Sequence, residues 1–223
     1  MILAQVIVEL RHSQPLKLFR PYEELYRSIT GKELPEKEIA LPGFMLNVAE
    51  KKMRIVVEPG HTSVVLGDVP NTGYCVDNIM GLFRKITELV EMPLLKRLGI
   101  RSYWYQESRL DFTSLVSVCK EIFYKPTIFV EESVDIGASF TLKDGEYSIN
   151  VHFGPMAESQ LMTMFIFKPD KLPKVASYLD VDYYSLVNEL NITDTILRQF
   201  VNAGLKSGVE QSEKLTNILL RKE

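Results

Sequence analysis

The chain has 223 residues, 46% hydrophobic and 25% charged, with a formal net charge of −3, a composition that excludes disordered, collagen-like and coiled-coil classes. A chain of this mass exposes roughly 10,000 Å² when folded against roughly 37,000 Å² unfolded, which is ample burial for one large domain or two small ones. Charge is even, with 13 basic and 12 acidic residues in 1–98 and 13 and 17 in 99–223, so tight nucleic-acid binding through many phosphate contacts is disfavoured.

The first 12 residues alternate, with Ala4, Val6, Val8 and Leu10 on one face and Gln5, Glu9 and Arg11 on the other, which predicts a half-buried strand. The segment is apolar first and charged after, the reverse of a secretory signal. No window approaches about 18 uninterrupted apolar residues, so a soluble, cytoplasmic protein without membrane association is expected. Pro15 and Pro21 bracket a connection. Tyr22, Leu25, Tyr26 and Ile29 follow helical spacing, with Gly31 where a C-terminal cap belongs. Phe44–Ala49, Met53–Glu58 and Thr62–Leu66 are separated by turns short enough for an antiparallel meander. Val76, Ile79, Met80, Phe83, Ile86 and Val90 then line one face of a longer helix that ends near Pro93.

The order then restarts. Ile100–Glu107 is predicted as a strand and Asp111 as the N-cap of a helix bearing Phe112, Leu115, Val116, Cys119, Ile122 and Phe123. Val134–Leu142, Tyr147–Phe153, Leu161–Phe167 and Tyr178–Tyr184 read as strands, and Lys143-Asp144-Gly145-Glu146 reads as a hairpin turn. Two helices close the chain, one around Ile196–Val201 and one from about Glu210 to Leu220. The expected fold is α+β: two tandem β-α-β-β-β-α units, 1–98 and 99–223, packed as one globular unit with helices mainly on one face of an antiparallel sheet. The second unit carries an extra C-terminal helix.

Chemistry-bearing patterns are sparse. His12, His61 and His152 are widely separated and form no metal-ligand spacing, and no phosphate-cradling loop or nucleophile elbow is present, so neither metal nor cofactor is expected. Cys119 falls on an apolar helical stripe, and Cys75 in a loop-like stretch before a helix; two cysteines make no disulfide framework. Asp180 and Asp182 fall on one side of a strand, where they could hold a cation or serve as a general base, or act as strand-end carboxylates that bind nearby backbone. By the period of two, Arg101, Tyr103 and Tyr105 share a face, an arrangement able to bind an anion, stack on bases or anchor a partner, or to pack internally with Arg101 over the rings.

The run Arg97-Leu98-Gly99-Ile100-Arg101-Ser102-Tyr103 resembles the R-x-G-aliphatic-R-aromatic strand of a sporadically distributed family of uncharacterised bacterial proteins of similar size. Leu179-Asp180-Val181-Asp182-Tyr183 is similar to that family's D-x-D strand ahead of a helix. The resemblance implies a bacterial, single-chain α+β protein and carries no activity.

Three functions follow as expectations. The first is a cytosolic binding or protein-interaction module without catalysis. Leu161–Phe167, read as a strand apolar on both faces, would be either central with cover on both sides or part of an interface, for which a homodimer is the commonest form. The second is an enzyme with its site between the halves, where Arg101 holds a small anionic substrate and Asp180 or Asp182 is the base. The third is nucleic-acid binding by the open sheet face, a fold-level analogy to the saddle of TATA-binding proteins that the acidic balance opposes.

Overall fold

The computed structural model describes residues 1–13, 21–32, 44–89 and 91–219. Pro15, Val90 and the side chains of Tyr22 and Leu25 lie outside the described residues. One antiparallel sheet of eight strands organises the chain: β1 (Ile2–His12), β2 (Phe44–Val48), β3 (Met53–Glu58), β4 (His61–Gly67), β5 (Leu95–Glu107), β6 (Ala138–Asp144), β7 (Tyr147–Ala157) and β8 (Val175–Leu190). The helices are α1 (Pro21–Thr30), α2 (Thr72–Leu89), α3 (Phe112–Phe123), α4 (Ile128–Glu132), α5 (Glu158–Met164) and α6 (Asp194–Leu219).

The strands lie in the order β2-β3-β4-β1-β5-β8-β7-β6. Adding four to each number of the first four strands turns the order into its own reverse, so β1 and β5 occupy equivalent places and pair at the centre. Alternation decides which side chains meet the helices. Val6, Val8, Leu98, Ile100, Val151, Val181 and Tyr183 are buried on one face, together with Val76, Ile79, Met80 and Phe83 of α2 and Leu197, Phe200, Val201 and Leu205 of α6. At about 25 cal/mol per Å² of apolar surface removed from water, that layer is the main source of stability.

Two close approaches lock α6 onto β5. A Cβ at Gly204 would stand 2.1 Å from Cγ2 of Ile100, and one at Gly208 would stand 2.7 Å from Oγ of Ser102. These glycines therefore sit inside one 26-residue helix, where the sequence had suggested two separate helices. Asp111 caps α3 as expected, its side chain accepting from the Ser114 N–H at 2.8 Å. Gly145-Glu146 is the two-residue turn that joins β6 to β7, one position on from the expected Asp-Gly centre, with Gly145 at φ +59°.

Two readings need correction. Leu161–Phe167 is no strand: Glu158–Met164 is α5, started by the Gln160 side chain accepting from the Ala157 N–H at 2.7 Å. α5 and the chain after it cross the opposite face of the sheet, where Leu161 and Phe165 are buried with Tyr103, Tyr105, Ala4 and Ala176. The double-sided apolarity thus marks a segment that covers the sheet, and the argument for a dimer built on it falls away. Cys75 is no loop residue either; it is fully buried within α2.

Candidate binding face

Among the described residues, the second face of the sheet is covered at one end. There α5 and the following strap pass over β8, β5 and β1 and reach β4 and the start of β3. Four contacts tie the strap down. The Glu158 N–H donates to the Lys174 carbonyl at 3.0 Å, closing its two ends, and the Ile166 N–H donates to Oε1 of Gln5 at 2.8 Å. Phe167 lies against Gly67, and Asp170 pairs with Lys52 at 2.7 Å. Gly67 has no side chain to obstruct this approach.

Beyond the strap, the three central strands display a network of arginines and carboxylates. Nη1 of Arg97 donates to Glu9 at 2.7 Å, and Nη2 donates to both oxygens of Asp182 at 3.2 and 3.3 Å. Its guanidinium also stands over the ring of Tyr184 at 4.8 Å. Arg101 grips Asp180 through Nε and Nη2, the former at 2.8 Å, while its guanidinium lies 5.1 Å from the Tyr103 ring centre. Glu9 additionally accepts from Nε of Arg11 at 2.6 Å. Two-pronged arginine–carboxylate contacts of this kind are geometrically exacting and hold the side chains in place.

The electrostatics follow from these pairs. Burial alone would raise the carboxyl of Glu9, but the Arg11 hydrogen bond and the charges of Arg11 and Arg97 outweigh it and hold Glu9 below its ordinary value. Asp182 goes the other way: its burial pushes the carboxyl up, against the pull of Arg97 and Arg101. Asp180 holds the proton on Arg101 more firmly than usual. Burial pushes the Tyr103 hydroxyl up to about 12.

The five residues singled out from sequence do share this face. Arg101 and Asp182 are register partners on neighbouring strands, so the arginine and both aspartates stand together. The tyrosines are less available. Tyr103 and Tyr105 pack against Phe165 with ring centres 6.4 and 6.1 Å apart, under the strap. The aspartates are mid-strand groups held by arginines, not strand-end carboxylates on backbone. Sequence reasoning missed Glu9 and Arg97 as members of the network. The alternation had put Glu9 on the polar face, and Arg97 lies on the face of Arg101 by the same period of two. What the sequence could not supply was the pairing of β1 with β5 that joins them.

The cysteines offer no nucleophile: burial pushes the Cys75 thiol up to about 12 and that of Cys119 to about 11. No group of three or more His, Cys, Asp or Glu able to hold a metal is found among the described residues. His12 is buried in the core with its Nε2 at 3.2 Å from the Thr62 hydroxyl, and His61 pairs with Glu58 at 3.3 Å. No helix among the described residues is long and apolar enough to cross a membrane.

No protein-family model matches the chain, and no curated protein matches it. Among solved structures it is similar to Methanococcus jannaschii TBP at a TM-score of 0.31 and 10% identity, over 96% of this chain and 98% of that one. Likeness at that level carries no argument about fold or function.

Proposed function

We propose that the protein is a binding module without catalysis, and that it meets its partner through the end of the second sheet face that the strap does not cross. The observation behind this reading is the pairing of Arg97 and Arg101 with Glu9, Asp180 and Asp182. Catalytic acids, bases and anion clamps need an unsatisfied group ready for substrate. Here the charged groups satisfy one another and form a fixed, half-buried pattern of both signs, with Arg101 its most exposed member. Such a pattern suits recognition of a polar macromolecular surface by complementary charge.

The test is site-specific photo-crosslinking in cells. A photoreactive residue at Arg11, half exposed on the open face, should capture a protein partner, and one at Glu213 on α6 should not. Capture only from position 213 would overturn the reading. Nuclease-sensitive adducts at position 11 would replace it with nucleic-acid binding by the same face. The enzyme alternative, with Arg101 holding a small anionic substrate and Asp180 or Asp182 as base, is favoured by one observation, the raised carboxyl of Asp182 beside Arg101.

The same reading includes an internal duplication, a bacterial origin within the sporadic uncharacterised family, and a cytoplasmic location. The reversible strand order supports the duplication, with β1 and β5 as equivalent strands about a pseudo-twofold. Residues 1–98 expressed alone should then pair through β1 with a second copy, rebuilding an eight-stranded sheet. A folded monomer would count against it.

A homodimer of the whole chain belongs to the proposal through the β6 edge. Phe140 and Leu142 are exposed there beside a groove of about 190 Å³ that Phe153, Leu215 and Ile218 also line. Light scattering at micromolar concentration should show the dimer, and Phe140→Lys should return it to monomer.

A further inference from the structure

Among the described residues, four arginines stand on this face, and three have carboxylates there: Arg11 and Arg97 share Glu9, Arg97 also holds Asp182, and Arg101 holds Asp180. Arg54 has none. Its register partners are Asn47 on β2 and Val65 on β4, and the diagonal positions on the same face are Met45, Ser63 and Gly67. No acid occurs among them. Its Nε is buried without an acceptor, and its guanidinium carbon stands 5.8 Å from the ring centre of Phe167.

A second donor lies on the other side of Phe167. Gln5 is completely buried, and its Oε1 is occupied by the N–H of Ile166, with that of Phe167 at 3.5 Å. Two backbone donors on one end fix the orientation of the amide. Its Nε2 is thereby left as a buried donor with no acceptor. An unpartnered buried N–H is costly, more so when the group is charged, and natural proteins keep few of them. Two such donors, one cationic, flank Phe167, and the neighbouring acids Asp68 and Asp170 are taken up by Lys52.

We propose that Arg54 and Gln5 form a subsite for an oxyanion, the carboxylate or phosphate group of a small ligand, at the edge of the strap. The guanidinium fork matches the two oxygens of such a group, and the amide supplies a further donor once Phe167 swings off Gly67. Without ligand, the Phe167 ring takes the place of the anion beside the cation, a weaker electrostatic partner. The carboxylates at the other end of the face repel a free anion from Arg97 and Arg101, which directs it to Arg54. This inference does not depend on the partner-binding reading, because its ligand is small and its residues lie outside the Glu9–Arg97–Asp182 network.

The experiment is a side-chain nitrogen NMR titration of the whole chain with inorganic phosphate, and separately with acetate. The Arg54 Nε–H and Gln5 Nε2 signals should shift saturably together with the Phe167 amide, while those of Arg97 and Arg101 stay fixed. The tighter-binding anion of the two identifies the ligand class. Arg54→Lys keeps the charge but loses the fork, and should weaken binding about tenfold or more. If Arg54→Lys fails to fold, the wild-type titration decides alone. Shifts spread over surface lysines and linear in concentration would mean an adventitious ion only and overturn the proposal. Fixed Arg54 and Gln5 signals with both anions would overturn it as well.

Discussion

Arg101 stands in register with Asp182 across the β5–β8 pair, yet its guanidinium reaches diagonally to Asp180. Arg97 reaches twice as far in the same direction, from its register partner, Leu186, past Tyr184 to Asp182. Asp180 thus receives the arginine two residues from its own register position and Asp182 the one four residues away, and the two pairs interlock along the strands. The partners differ in exposure: the Arg101 side chain is 45% exposed and that of Asp180 only 5%. Removing the arginine leaves a buried carboxylate without a counter-charge.

Arg101→Ala should therefore destabilise the protein by about 2 kcal/mol, below the full cost of breaking a buried pair because the arginine itself is largely wet. Adding Asp180→Asn to that variant should recover a good part of the loss. Urea denaturation of the single and double variants measures the coupling. An unchanged melting temperature for Arg101→Ala would mean that the pair contributes nothing to folding.

The strap depends on Gly67. A Cβ there would stand 2.6 Å from Cβ of Phe167, an atom that no rotamer change can move aside. Gly67→Ala should lift the strap, release the Ile166 N–H from Gln5 and cost about 1–3 kcal/mol by overpacking. Trypsin should then cut after Lys171 faster than in the parent chain. Equal cutting rates would show that Gly67 does not seat the strap.

His12 makes stability depend on pH. Burial, reinforced by the charge of His61, holds its imidazole below the ordinary 6.5, although a backbone hydrogen bond at Pro59 acts in the opposite sense. Below pH 6.5 the unfolded chain takes up a proton at this site that the folded chain refuses until its own lower value is reached. Stability should thus be full above 6.5, fall as the pH drops through it, and level off below the folded value. Urea midpoints measured at successive pH values should show this slope in the parent chain, and His12→Gln should flatten it. The same slope in both proteins would assign it to other groups.

Both thiols should be inert while the protein is folded. Cys75 and Cys119 are buried, and their thiols are pushed up to about 12 and about 11. A chromogenic disulfide reagent at mildly alkaline pH should label them about a hundredfold or more slowly than in urea. Prompt labelling of Cys75 without denaturant would place it on the surface.

Where a segment's own chemistry chose its conformation, the sequence alone was enough. The alternation through Val6, Val8 and Leu10, the Asp111 cap and the hairpin turn at Gly145 are local choices; the first two form as read and the turn lies one residue on. The shared face of Arg101, Tyr103, Tyr105, Asp180 and Asp182 is equally a matter of period two. Tertiary packing decided the rest. Leu161–Phe167 reads as a two-sided apolar strand because a short apolar run has no distinguishing period; it is helix and strap because Tyr103 and Tyr105 need a cover. The chain between Val201 and Glu210 lies outside the two expected helices, yet it continues α6, with Gly204 and Gly208 set where Ile100, Ser102 and Trp104 leave no room for a side chain. The partners of Arg97, Arg101 and Arg54 also lay beyond sequence reading. A strand's sequence sets which face its side chains occupy, but its neighbour in the sheet is fixed only when distant segments pack, and that neighbour decides which arginine meets a carboxylate and which meets none.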